Sequence, residues 1–251
     1  MDSLLQKFTL PASIPLFISI YAVGFFSLFP RWRHKARFEA ASCSMSLVHG
    51  AISSTLAAYD LLLVPWRLDA PNSPLENALM DFSIAYFLVD LLHYLLFIPE
   101  DFKFIGHHVA TSIYMLTCKY YIGHGALSVM ALMAVGEMTT PLQSVWTIAR
   151  LGRDISPSAR RIYEGASLPF TIFFTCTRGL VGPLLTWILC KFYLSSEGRR
   201  VIPFWLAALW MGMVVIGMAG SIMWMQSLWV GLRKFKSRKR SSLSHIGNGG
   251  R

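Results

Sequence analysis

The chain has 251 residues, of which 54% are hydrophobic and only 14% are charged, and its formal net charge is +10. Because soluble domains carry about 25% charged residues, this composition excludes an ordinary soluble domain and indicates one membrane domain built of helices. The positive charge does not indicate a nucleic-acid partner, since Lys and Arg stand in short segments between apolar runs, as topology signals do.

Seven apolar runs are long enough to be membrane-spanning helices, since a crossing needs about 20 residues. Basic residues follow the first run instead of preceding it, which indicates a retained helix and not a cleaved signal peptide. The sequence therefore predicts an all-α polytopic membrane protein with about seven transmembrane helices, at residues 10–29, 40–64, 78–98, 105–122, 126–149, 167–193 and 203–230.

The connecting segments fall into two alternating sets that differ in Lys and Arg content. The richer set comprises residues 31–38, 99–104, 150–166 and the segment after residue 230. Because Lys and Arg collect on the cytosolic side, the N-terminus is expected to be lumenal and the C-terminus cytosolic. Residues 231–251 are basic, then polar and glycine-rich, and are expected to form a disordered tail near anionic headgroups.

Ionisable residues stand inside several apolar runs, where a charged side chain costs about 2.5 kcal/mol or more. They continue stripes of small polar residues along their helices, and such stripes turn toward the interior of a bundle in lipid. The sequence therefore predicts a bundle around a polar cavity that opens toward the cytosol. Its expected polar residues are His49, Asp90, Glu137 and Arg178 near the midplane, and His93, His107 and His108 in the cytosolic half.

Structural interpretations of these residues remain open beside a functional one. Ser and Thr stripes allow helices to pack closely, and Glu137 with Arg178 would form a buried ion pair that holds the fold. A metal site is less favoured, because the adjacent His107 and His108 point about 100° apart on a helix and no HExxH pattern is present. No metal is therefore expected.

Four motifs resemble the TLC domain family (TRAM, Lag1 and CLN8 homology) over residues 32–230. They are the basic entry RWRHKARFEAASCSMSLVHG, the segment YFLVDLLHY around Asp90, the double histidine of GHHVATSIY, and the acidic turn GEMTTPLQS. The resemblance implies an N-terminal segment with the first helix at residues 1–31, a TLC domain of six transmembrane helices at 32–230, and the tail at 231–251.

The resemblance also implies roles for individual residues. In ceramide synthases of this family, a double histidine and acids on the next helix lie in a membrane cavity and transfer an acyl group from acyl-CoA to a sphingoid amine. Carried over, His107, His108 and Glu137 would be catalytic. His49, Asp90, His93, Thr140 and Arg178 are expected to line the lipid-binding site. The second acid of the ceramide synthases is missing, since the segment here is Glu137-Met138-Thr139-Thr140-Pro141.

This departure makes the chain more similar to the smaller TLC-domain proteins, which are linked to membrane lipid composition. The expected function is membrane lipid homeostasis, with an acyl chain or sphingolipid bound in the cavity. An N-acyltransferase of ceramide synthase type is the first alternative, so the sequence leaves open whether the chain is an enzyme. A seven-helix receptor or transporter is the second alternative.

The resemblance implies the endoplasmic reticulum as location and membrane lipids as partners. No nucleic acid is expected, and a homo-oligomer is left open. No cofactor is expected, with acyl-CoA entering only as a co-substrate if the chain is an enzyme.

Overall fold

The computed structural model describes residues 8–248, without the side chains of residues 236 and 238–248. These residues form an all-α fold with no strand, as predicted. They include an isolated backbone bridge between Pro71 and His124. The helices follow the seven apolar runs of the sequence, so hydropathy locates the main elements correctly.

The helices are numbered in chain order, and three of them continue into a wider, π-helical segment. They are α1 (Leu10–Val23, then π-helical Gly24–Leu28), α2 (His34–Leu63), α3 (Pro74–Phe97), α4 (Phe102–Leu116, then π-helical Thr117–Ile122), α5 (Ala126–Glu137), α6 (Thr140–Gly152), α7 (Pro157–Phe174, then π-helical Thr175–Val181), α8 (Gly182–Tyr193), α9 (Ser196–Val201) and α10 (Phe204–Asn248).

Within residues 8–248, 5 helical segments are long and apolar enough to cross a membrane: Leu10–Leu28, His34–Leu63, Pro74–Phe97, Pro157–Tyr193 and Phe204–Phe235. Two further predicted spans are helical but do not reach this threshold. The fourth carries Lys119 and the histidine pair, and the fifth is divided between α5 and α6 after Glu137. The chain is an all-α polytopic membrane protein in which these two segments are the more polar ones.

Local capping signals fix where the helices around the centre of the bundle begin. α3 begins with a capping box, in which Ser73 Oγ accepts from the Glu76 N–H at 3.2 Å and Glu76 Oε2 accepts from the Ser73 N–H at 2.5 Å. The Asp101 carboxylate accepts from the Phe104 N–H at 3.4 Å at the start of α4. These caps set the register of the two helices that carry Asp90 and the histidine pair.

Helix α2 is central, because α1, α3, α5 and α6 all pack against it. It lies very close to α6 at Gly50, where an added Cβ would be 2.7 Å from Thr140 Cβ. The main apolar core is built largely from α3 and α5 and includes the fully buried Phe17, Met80 and Phe82. The inward faces of α2, α3 and α5 therefore meet in the middle of the bundle.

Four connections collect at one end of the bundle, called the basic end: residues 29–33, 98–101 and 153–156 and the region after Leu232. Lys35 Nζ lies 2.5 Å from Glu100 Oε1, and Arg150 Nη2 lies 3.0 Å from Glu39 Oε1. The ring centroid of Phe235 lies 6.1 Å from that of Tyr163. The connections with most Lys and Arg thus lie together, as the alternation in the sequence predicted.

The last helix is longer than predicted. α10 continues to Asn248, where the sequence predicted a disordered tail from residue 231. Lys, Arg and Leu are good helix formers, and they follow an established helix without a break at Gly231. Residues 249–251 of the predicted tail lie outside the described residues.

Candidate functional site

Five helices bring the predicted polar residues into one region. α3 supplies Asp90 and His93, α4 supplies His107 and His108, and α2 supplies His49. α5 and the π-helical segment after α7 supply Glu137 and Arg178. Sequence reasoning grouped these residues correctly, but the structure divides them into a buried network and an accessible cluster.

Asp90 is the centre of the buried network and is only 1% exposed. Its Oδ1 accepts a hydrogen bond from Ser42 Oγ at 2.6 Å. Its Oδ2 lies 2.9 Å from His108 Nε2 and accepts from the Tyr86 hydroxyl at 3.3 Å. Three partners from α2, α3 and α4 therefore hold a single carboxylate in the middle of the bundle.

One contact of His108 fixes the position of one of its protons. Nδ1 is 2.7 Å from the Phe104 carbonyl oxygen, which can only accept, so Nδ1 carries a hydrogen. The contact between Nε2 and Asp90 then needs one further proton, on the imidazole or on the carboxyl group. His108 and Asp90 therefore share a proton, and both ring nitrogens of His108 are engaged within the protein.

His49 belongs to the same network from the side of α2. Its ring stacks on Tyr86 with centroids 4.0 Å apart, and its Nε2 lies 3.1 Å from Ser83 Oγ. Its Nδ1 lies 3.7 Å from Glu137 Oε2, which is an ion-pair distance and too long for a direct hydrogen bond. His49 thus connects the Tyr86 side of the network to Glu137 on α5.

Helix α1 completes the network, which the sequence did not reveal. The Tyr21 hydroxyl lies 3.0 Å from His93 Nδ1, and Phe17 packs against Phe82 and Tyr86. His93 Nε2 is buried without a hydrogen-bond partner in the described part of the chain. Tyr21 lies in an apolar run without a polar stripe, so no pattern in the sequence predicted that its hydroxyl group would contact the network.

His107 points away from this network. Its side chain is exposed, and its ring contacts Phe87 and His108 edge-on. It lies within electrostatic reach of Glu137 and Arg178. These three residues, called the His107 cluster, bring an exposed imidazole near a buried carboxylate and a half-buried guanidinium.

The ion pair expected between Glu137 and Arg178 is absent as a direct contact among residues 8–248. Arg178 Nη2 instead donates to the Gly136 carbonyl oxygen, and the guanidinium lies 5.4 Å from the Phe174 ring centroid. Glu137 faces His49 instead. The helical hydrogen bonds are interrupted between α5 and α6, just before Pro141, and Arg178 binds the Gly136 carbonyl oxygen at this interruption.

Thr140 takes a different position from the one expected for a lipid-binding residue. It is buried at the start of α6, facing Gly50 of α2. Its side chain contributes to the close packing of these helices. The His107 cluster lies on the other side of the α5–α6 break.

The buried network is filled by its own side chains. Asp90, His49, His93 and His108 are each at most 3% exposed. Two cavities lie at the basic end, beside α6 and α7. In the described part of the chain, no three His, Cys, Asp or Glu side chains are arranged to hold a metal ion.

Comparison with known proteins identifies the family. Residues 39–230 match the TLC domain. A TLC domain-containing protein of Arabidopsis thaliana, At5g14285, is 37% identical over 238 residues, which cover 93% of this chain and 92% of the relative. No solved structure matches the chain. The chain therefore belongs to the TLC domain family and is an integral membrane protein.

Proposed function

We propose that this protein binds an acyl-chain lipid or sphingolipid within the membrane and acts in membrane lipid homeostasis. The observation that carries the proposal is the His107 cluster, in which an exposed histidine lies near a buried carboxylate and a half-buried guanidinium at the level of the apolar helices. Ionisable groups are costly at that depth unless they pair or bind a polar ligand. The headgroup of a lipid supplies such a ligand, while its chain lies along the surrounding apolar side chains.

The individual groups suit a lipid headgroup. Arg178 is anchored through Nη2 to Gly136, and its Nε is buried without a hydrogen-bond partner in the described residues. His107 can donate or accept, and Glu137 accepts. A hydroxyl, amide or amino group could be held between these groups, whereas a plain hydrocarbon would leave them unpaired.

The proposal includes the endoplasmic reticulum or a related membrane as location, with a lumenal N-terminus and a cytosolic C-terminus. The Lys and Arg content of the basic end supports this orientation. Adding a glycosylation acceptor to either terminus tests it, because only a lumenal terminus becomes modified.

A second candidate is an N-acyltransferase that uses acyl-CoA and a sphingoid base. It is favoured by the Asp90–His108 pair, which lies directly beside His107 and already shares a proton. Both nitrogens of His108 are engaged, so His107 would be the general base that accepts the proton of the amine. His108 and Asp90 would then position His107 and set the local charge.

The test is mass spectrometry of lipids that co-purify with the full chain in mild detergent. We expect one lipid class to be enriched over the host membrane in the wild type. That enrichment should be reduced in His107→Gln and Arg178→Gln and retained in His124→Gln, a matched control at the opposite end. Co-purified lipids with the composition of the host membrane in every variant would overturn the proposal.

Adding acyl-CoA and a labelled sphingoid base to the same preparations separates the two candidates. Labelled ceramide that forms in the wild type and is lost in His107→Gln would establish the acyltransferase. An enriched lipid without turnover would support a binding protein. Melting temperatures measured in parallel distinguish a lost site from a lost fold.

A further inference from the structure

An apolar groove lies at the basic end, away from the His107 cluster. It has a volume of about 220 Å³ and is formed where α6, α7 and the connection between α1 and α2 meet. Every lining residue is apolar: Trp32, Val145, Ile148, Ala149, Ala159 and Ile162. Val145 and Ile162 expose their side chains, so the groove opens outward along the bundle.

A basic pocket adjoins this groove at the connection between α6 and α7. Its volume is about 420 Å³, within the ~300–1,000 Å³ range of ligand pockets. Three arginines contribute to it, Arg153, Arg160 and Arg161, together with Asp154 and Glu164. In the first turns of α7, Arg160 and Arg161 stand between the groove residues Ala159 and Ile162 in the chain, so the two surfaces are neighbours.

The arginines of the pocket are weakly neutralised. Arg153 Nε and Arg160 Nη2 share Asp154, at 3.6 Å and 3.8 Å, and the Asp154 side chain is 77% exposed. Exposed ion pairs of this length contribute little, so both guanidinium groups can exchange partners. Arg161 forms no ion pair within residues 8–248. The arrangement suits a phosphate, which arginine binds through parallel hydrogen bonds.

We propose that the groove and the pocket together bind one anionic phospholipid. An acyl chain lies along the groove, and the phosphate is held by Arg153, Arg160 and Arg161. The basic end is where the connections rich in Lys and Arg collect, and basic pockets at such an end attract anionic headgroups. This site is independent of the His107 cluster and of the function proposed for it.

Thermal unfolding tests the site, with the purified full chain in mild detergent and tryptophan fluorescence as the readout. We expect dioleoyl phosphatidic acid to raise the melting temperature in a saturable way, because a ligand of the folded state stabilises it. Phosphatidylcholine with the same chains should produce little change. Inorganic phosphate should also produce little change, since it lacks the chain that fills the groove.

Matched double variants locate the effect. In R160Q/R161Q, the phosphatidic acid concentration that gives half of the shift should rise roughly thirty-fold, since each basic residue near an anionic headgroup contributes about a factor of five. R199Q/R200Q removes two exposed arginines from α9 at the opposite end and should respond like the wild type. Ile162→Asn makes the groove polar. It should weaken the binding of phosphatidic acid, and inorganic phosphate should still not change the melting temperature of this variant.

Three results would overturn the site. The first is that phosphatidic acid shifts the melting temperatures of both double variants equally. The second is that phosphatidylcholine shifts the wild type as much as phosphatidic acid does. The third is a shift produced by inorganic phosphate alone, which would indicate a soluble anion as the ligand. The substituted residues are exposed, so the unliganded variants should melt near the wild-type temperature.

Discussion

The Asp90–His108 pair makes an unusual prediction about a conservative change. Asp90→Asn keeps the size of the side chain but removes the shared proton and reverses one hydrogen bond. Because Nδ1 of His108 donates to the Phe104 carbonyl, Nε2 of the neutral ring has a free lone pair. The amide group introduced at position 90 can donate to that lone pair, while its oxygen still accepts from Ser42.

Asp90→Asn removes little of the hydrogen bonding around position 90. The remaining loss is the acceptor for Tyr86, a long contact of 3.3 Å, and Tyr86 also has Ser46 at 2.9 Å. We therefore expect Asp90→Asn to destabilise the fold by about 1 kcal/mol or less. Asp90→Ala leaves Ser42, Tyr86 and His108 without their acceptor, and removing one partner of a buried pair costs about 3–5 kcal/mol.

Thermal unfolding in mild detergent measures the difference, with tryptophan fluorescence as the probe. One kcal/mol corresponds to about 2–4 °C for a domain of this size. Asp90→Asn should therefore melt within a few degrees of the wild type, and Asp90→Ala at least about 6 °C lower. Equal losses for the two variants would refute the proton assignment, because they would show that an ionised pair is required for folding.

Three further predictions concern packing and pairing elsewhere in the bundle. Gly50→Ala should destabilise the fold by about 1–3 kcal/mol, because the added methyl group overpacks against α6. In the control Gly106→Ala the methyl group meets nothing within 4 Å, so this variant should be neutral or stabilising, and equal melting temperatures for the two would contradict the close approach of α2 and α6. Lys119→Met should cost about 3 kcal/mol, because it leaves the buried Asp81 carboxylate without its counter-charge and with only the Tyr120 hydroxyl as a partner. Lys119→Met with Asp81→Asn should recover much of this loss, and a double variant that melts no higher than the single one would argue against the pair. Tyr21→Phe should cost about 1 kcal/mol through the lost hydrogen bond to His93, measured as a melting shift; no shift would indicate that α1 does not support the network.

Sequence reasoning predicted the helices and the grouping of the polar residues because both follow from simple physical requirements. Apolar runs of sufficient length mark helices in a bilayer, and Asp90 and His108 must turn inward to find partners. The pairings within the group were less predictable. Arg178 bound a backbone carbonyl instead of Glu137, and a backbone acceptor made available by a helix break leaves no mark in the side-chain pattern.

The role of Thr140 was missed for a related reason. The interruption at Met138 and Thr139 lies just before Pro141, which has no N–H to continue the helical hydrogen bonds. The packing of Thr140 on Gly50 instead depends on the close approach of α2 and α6, which gives no periodic signal in the sequence. The density of the network was also not predictable. A polar stripe indicates that side chains face inward, but only the packing of Tyr86, Phe87 and Phe82 shows that they leave little open space.

The contribution of α1 has a consequence for how the protein is assembled in the cell. The TLC match begins at residue 39, yet Phe17 and Tyr21 come from a helix that lies before it. This helix leaves the ribosome before α3 and can meet His93 only after α3 has been synthesised. The cooperative unit is therefore larger than the segment that sequence similarity outlines, and the contacts of the first helix with this unit form only after α3 has entered the membrane.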